Sequence, residues 1–301
     1  MKQIHLVLYS GLSNRLFVLL SALNIRRTHG HNVYGFWTEK VGRAGLPYVG
    51  PVHSDWGDFF EPIEGVHMIP IQGSVAFARE ADLDQEQYIP NALHTPQKLS
   101  QEAWRFISGP KVVNPARDTL IIKKLTTPFG TDPKTMARYV RYLDKPGQYQ
   151  KDDYLQDLSS LARQRLRPVP SVQRDIDALR HRFGHFDTVF GIHLRGTDLV
   201  RDQATRQAHR EAVTQAIQQT IKPDIGFYIA SDEPIDWLVE KFPGQILFHD
   251  NPRKTENSIE GTRQAIVDLF MLARCRVIKG TPKSSFSMMA WLLSEDADYV
   301  L

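Results

Sequence analysis

Apolar and polar positions along this chain alternate in two rhythms. Ile4 to Tyr9 is short, apolar and rich in β-formers; Ser10, Gly11, Leu12, Ser13 and Asn14 follow, then an apolar run from Leu16 to Ile25. This pattern predicts a strand, a glycine turn and a helix. Arg26 and Arg27 fall in the last turn of that helix, and Gly30 stops it. Asn32 to Trp37 predicts a second strand, so the chain opens as β-loop-α-β, the start of a parallel α/β sheet.

From Thr38 to Val169 the rhythm is weaker. Trp56, Phe59 and Phe60 form an aromatic cluster, Val66 to Ile71 and Leu120 to Thr126 predict strands, and Tyr139 to Tyr154 reads as an exposed polar segment. The proline-bounded run Arg167-Pro168-Val169-Pro170 predicts a domain boundary, giving domains 1–169 and 170–301. Beyond it the alternation is regular. Helices are predicted over Ser171 to Phe183, Ala204 to Ile221, Pro234 to Phe242, Glu260 to Ala273 and Ser285 to Ser294. Between them lie strands over Thr188 to His193, Ile225 to Ala230, Gln245 to His249 and Arg276 to Gly280. Such alternation predicts a doubly wound parallel sheet, with ligands at the carboxyl ends of the strands.

Composition narrows the function classes. A chain of 301 residues suffices for one large or two medium domains. With 42% hydrophobic and 24% charged residues and a formal charge of +3, it does not read as a nucleic-acid binder; a small polyanion such as a diphosphate suits the mild excess. The single cysteine, Cys275, sits in an apolar stretch and reads as a small buried hydrophobe, which fits a reducing compartment. The opening reads as a strand rather than a signal peptide, and no apolar run approaches the ~20 residues of a membrane span. A cytoplasmic location is expected, with peripheral membrane contact and oligomeric state left open.

Three loops at the expected strand ends carry the chemistry. In the first, Gly11 permits a tight turn, the amides of Leu12 to Asn14 form an anion site at a helix start, and Asn14 either serves that site or caps the helix. In the second, His193-Leu194-Arg195-Gly196-Thr197-Asp198 leaves an apolar strand. Arg195 presents a planar fork to two phosphate oxygens; His193 donates beside it, and Asp198 either holds Arg195 or binds substrate. In the third, Thr281 to Ser287, the hydroxyls of Ser284, Ser285 and Ser287 flank free helix amides, forming either a phosphate cradle or an ordinary N-cap. Upstream, Asp268 interrupts an apolar helix face; a carboxylate there needs a partner if buried, and guanine offers two adjacent donors. Asp232, in Ser231-Asp232-Glu233, follows a fourth strand and either touches ribose or base or caps a helix. The sequence has no metal-ligand cluster, no Walker lysine loop and no nucleophile elbow.

Together these loops resemble the fucosyltransferase superfamily of GT-B fold, which includes bacterial nodulation fucosyltransferases, core α1,6-fucosyltransferases and protein O-fucosyltransferases. His193-x-Arg195-x-x-Asp198 is similar to the motif whose arginine binds the donor β-phosphate. Asp268 followed by Ser284-Ser285-Phe286 resembles the later pattern, in which the acid contacts guanine and the hydroxyls contact phosphate. Ser231-Asp232 resembles a strand end of the group, and Gly11 to Arg15 its glycine-asparagine loop near the reacting sugar. The resemblance implies two Rossmann-like domains with a donor-binding cleft between them, the first on the acceptor side and the second binding the nucleotide sugar. It implies inverting, metal-independent transfer from GDP-β-L-fucose to a glycan or glycoconjugate, with the GDP-sugar as substrate and no cofactor. The acceptor-activating base is not matched; Asp198, Asp202 and Glu39 are the candidates. A transferase using another nucleotide sugar, and a non-catalytic nucleotide-binding protein on the same fold, are the alternative readings.

Overall fold

In the computed structural model, which describes residues 3–8, 12–37, 55–69, 119–122, 145–195, 203–249, 258–282 and 284–301, strand β1 (Gln3–Leu8) leads into helix α1 (Leu12–His29) and strand β2 (Asn32–Trp37). The apolar run of α1 is buried from Leu16 to Leu23, and Ile4, Leu6 and Leu8 of β1 are fully buried. Gly30 ends the helix at φ 73°, its N–H donating to the Arg26 carbonyl, a left-handed stop that suits glycine. Strands β3 (Val66–Ile69) and β4 (Thr119–Ile122) complete a four-stranded parallel sheet of order β3-β2-β1-β4. The expected aromatic cluster is present: Trp56 stacks on Phe60 at 4.4 Å between ring centres, and its indole N–H donates to the Glu61 carbonyl.

The second sheet has six strands in the order β5-β10-β9-β6-β7-β8, and it is parallel except for β5. Its elements in chain order are β5 (Gln148–Tyr149), α2 (Asp153–Arg165), α3 (Pro170–Arg182), β6 (Thr188–Leu194), α4 (Gln203–Thr220), β7 (Ile225–Ser231), α5 (Asp236–Lys241), β8 (Ile246–Leu247), α6 (Ile259–Leu272), β9 (Val277–Lys279), α7 (Ser285–Leu293) and β10 (Asp298–Val300). The β-α alternation after residue 170 matches the pattern read from the sequence. Strand β8 is shorter than expected; among the described residues it is the sheet's edge and pairs with β7.

Alternation along β6 and β7 sorts their side chains between two faces. On one face Ile192, Leu194, Ile225, Phe227 and Ile229 pack with Val213 and Ile217 of α4 and Leu238 of α5. On the other face small residues admit helices closely. A Cβ at Gly191 would stand 2.8 Å from a methyl of Leu272 and 3.0 Å from the Cys275 sulfur, so α6 lies directly against β6. Cys275 is buried there, as expected of a small hydrophobe, and burial pushes its thiol pKa far up.

The chain separates into two compact units: Met1–Arg141 with Gln164–Val169 and Asn257–Ile259, and Tyr142–Arg163 with Pro170–Glu256 and Glu260–Leu301. This division departs from a single cut at residue 169. Residues 145–163 belong to the second unit, where β5 pairs with β10 and Tyr149 is 7% exposed, so this part of the segment read as exposed is partly structural. The Lys151 ammonium donates to the Ser294 carbonyl at 2.5 Å, the Ser294 hydroxyl at 3.0 Å and the Glu295 carbonyl at 3.3 Å, tying the segment to the end of α7. No helix among the described residues is long and apolar enough to cross a membrane.

Candidate active site

Strand β6 sets the position of His193 and Arg195. Parallel pairing with β7 runs to Leu194↔Ser231, and pairing with β9 runs to Ile192↔Lys279, so the carboxyl ends of all three strands lie side by side. Arg195 is the first residue beyond β6 and is half-buried. His193 is 8% exposed, and its ring lies 4.9 Å from the ring of Phe286. The hydroxyl of Thr281 donates to the His193 carbonyl at 2.6 Å. The second and third loops of the sequence reading are thereby brought together within one unit.

The serine-rich turn divides its labour. Ser284 is the N-cap of α7: its side chain accepts from the Phe286 N–H at 3.3 Å, and its own N–H donates to Thr281. The capping alternative therefore describes the acceptor side of this hydroxyl, while its hydrogen remains available to donate. Ser285, the first residue of α7, is half-buried. Ser287 does not join a phosphate cradle. It is fully buried, bonded to the Ser284 carbonyl at 3.4 Å and paired with the Tyr299 hydroxyl at 3.2 Å, because the third helical residue turns toward the sheet.

Asp268 has the partner that its burial requires. The Tyr228 hydroxyl donates to its carboxylate at 2.5 Å, and Asp268 is 4% exposed. Burial and the neighbouring carboxylate push the Tyr228 pKa well above its ordinary value, so the phenol stays a donor. This partner lies 40 residues away, and only the demand for one was legible in the sequence. At the end of β7, Ser231 closes a local turn: its hydroxyl accepts from the Glu233 N–H at 3.0 Å. Glu233 is anchored by Arg210 of α4 at 3.2 Å, and Asp232 between them is half-buried.

In the first unit, Leu12 and Asn14 occupy the opening turn of α1, Leu12 half-buried and Asn14 exposed, with no acidic residue in that turn to occupy its amides. Gly11, Glu39, Gly196, Thr197, Asp198 and Asp202 lie outside the described residues. Among the described residues, no three His, Cys, Asp or Glu side chains gather into a group that would hold a metal ion.

No family model and no curated protein matches the sequence. Solved structures do match in fold. NodZ α-1,6-fucosyltransferase co-crystallized with GDP aligns at TM-score 0.59 and 20% identity, covering 98% of this chain and 93% of that one; the NodZ enzyme of Bradyrhizobium aligns at 0.59 and 19%. A variant of FUT1 from Arabidopsis thaliana in complex with GDP aligns at 0.59 and 14% identity, over 97% of this chain and 68% of that one. POFUT1 in complex with GDP aligns at 0.52 and 10% identity, over 99% and 97%. The two parallel sheets with their flanking helices, together with these whole-chain alignments, show that the chain has a fucosyltransferase-like GT-B fold.

Proposed function

We propose that this protein is a glycosyltransferase drawing its sugar from a nucleotide-diphosphate donor, with L-fucose from GDP-β-L-fucose the favoured case. The observation that supports the reading is the junction of the β6 end with the serine-rich turn, made at His193, two residues before Arg195, by the Thr281–His193 hydrogen bond and the His193–Phe286 ring contact. As the bond from sugar C1 to the diphosphate breaks, negative charge grows on the leaving oxygens. A guanidinium at the end of β6 stabilises that charge more in the transition state than in the ground state. The first turn of α7 and the Ser284 hydroxyl supply further donors to the same phosphates. The two-pronged cation thus supplies positive charge that a metal supplies in other transferases, and the transfer is metal-independent with inversion at C1. The acceptor is a glycan or glycoconjugate. The GDP of the NodZ and POFUT1 structures, and a NodZ crystal soaked with GDP-fucose, support the choice of guanine and fucose.

The engagement of Asp268 by Tyr228 favours a second reading, in which another nucleotide sugar fills the same diphosphate site. A thermal-shift comparison tests both. GDP is expected to raise the melting temperature and GMP not to, because the second phosphate is what Arg195 grips and ligand bound to the folded state stabilises it. A response to UDP or ADP in place of GDP selects the second reading. No response to any diphosphate refutes the donor site.

A further inference from the structure

Gln264, in the second turn of α6, is 2% exposed, and neither its amide nitrogen nor its amide oxygen has a hydrogen-bond partner among the described residues. A buried carboxamide with both ends unsatisfied is rare, since each lost partner costs the full desolvation of the group. The same chain shows what a glutamine does at this spacing when it is structural. Gln173 donates to Asp177 and Gln207 to Glu211, each four residues on and each at 2.8 Å. Gln264 has Asp268 four residues on and makes no such bond, while Tyr228 holds Asp268 instead.

The place of Gln264 follows from the packing of α6 on β6. Leu272 lies against Gly191. Eight residues back along a helix is about 12 Å, and four residues forward along a strand is about 13 Å. The helix of a parallel β-α-β crossover runs opposite to its strands, so Gln264 stands level with Arg195, at the strand ends where ligands of this architecture bind. On β7, Ala230 follows Tyr228 on the same face, with only a methyl group as its side chain.

Resting on the nucleotide-diphosphate donor reading above, we propose that Gln264 is a specificity-determining residue whose carboxamide pairs with the edge of the nucleobase. A phosphate would satisfy only the nitrogen. A lactam edge, with an N–H beside a C=O as in N1–H and O6 of guanine, satisfies both ends at once. The orphaned amide is kept because the ligand completes it.

Wild type, Gln264→Met and Gln264→Leu are compared by calorimetry and thermal unfolding with GDP, N1-methyl-GDP and pyrophosphate. The variants without ligand are expected to melt at or above the wild-type temperature, because an unpaired amide has been removed from the interior. GDP affinity is expected to fall roughly ten- to hundredfold, with pyrophosphate affinity unchanged. N1-methyl-GDP, which lacks the N–H, should bind wild type and variants equally weakly. GDP binding in both variants within twofold of wild type overturns the assignment and leaves the donor reading standing. Loss of stability in both, or parallel loss of GDP and pyrophosphate binding, makes Gln264 a structural residue and overturns it too. Wild-type protein that binds neither GDP nor pyrophosphate refutes the donor reading itself.

Discussion

At the scale of single residues, the geometry asks most of Arg195. A lysine there keeps the charge and loses the planar fork, so Arg195→Lys is expected to lose most transfer activity, measured as product formed from GDP-fucose, while folding normally. Near-wild-type turnover would contradict the role. Tyr228→Phe leaves the Asp268 carboxylate buried and short of a donor, a loss expected to cost about 1–3 kcal/mol in urea unfolding. Adding Asp268→Asn should recover part of that cost, since a neutral side chain is easier to bury. Residues of this kind differ in how plainly a sequence displays them. His193, Arg195 and Ser284 crowd the exits of apolar strands, and their types announce them. Gln264 hides because a polar residue in an amphipathic helix reads as solvent-facing until packing buries it. Tyr228 reads as one more aromatic in a strand, and its partnership with Asp268 exists only after β7 and α6 have met.

At the scale of elements, long periodic segments declared themselves and very short ones did not. Helices α3, α4, α6 and α7 lie within a few residues of their apolar pattern, since successive turns repeat the signal. Strands β5 and β10, of two and three residues, have no room for a period, and their pairing is set by register with neighbours. The join between this edge and α7 carries a pH signature. Burial, then the charge of Arg163, lowers the Lys151 pKa from 10.5 to about 8. Between those two values the unfolded chain binds more protons than the folded one, so stability rises with pH across that window. Below pH 8 both states are protonated and the contribution is flat. The unfolding midpoint of wild type should therefore climb relative to Lys151→Met from pH 8 to 9.5; parallel curves would show that the ammonium is not desolvated. Cys275, raised from 9.0, acts in the opposite sense but equally in both proteins and cancels in the comparison, while titrations kept below pH 10 avoid Tyr228 and Tyr299.

At the scale of the whole molecule, the proposed chemistry makes the protein its own counter-charge for the leaving group. Dialysis against EDTA is expected to leave transfer intact; abolition by chelator and recovery with manganese would overturn the metal-free mechanism. The α/β class and the order of elements in the second unit were legible because parallel sheets advertise themselves through repeated β-α steps. The exchange of residues 145–163 into that unit was not, because a proline-marked boundary near 168 says where the chain turns and nothing about which neighbours the preceding segment chooses. That exchange also shapes how the protein is made. Tyr149 finds its register partner at Tyr299, half the chain away, with β9 on the far side of β10. During synthesis the edge strand β5 is translated long before its mate, and closing so distant a pair is slow. Trimming a few residues after Ala297 would thus strip an inner strand from the sheet, leaving β5 and β9 with exposed backbone edges and a chain prone to stick to its own kind.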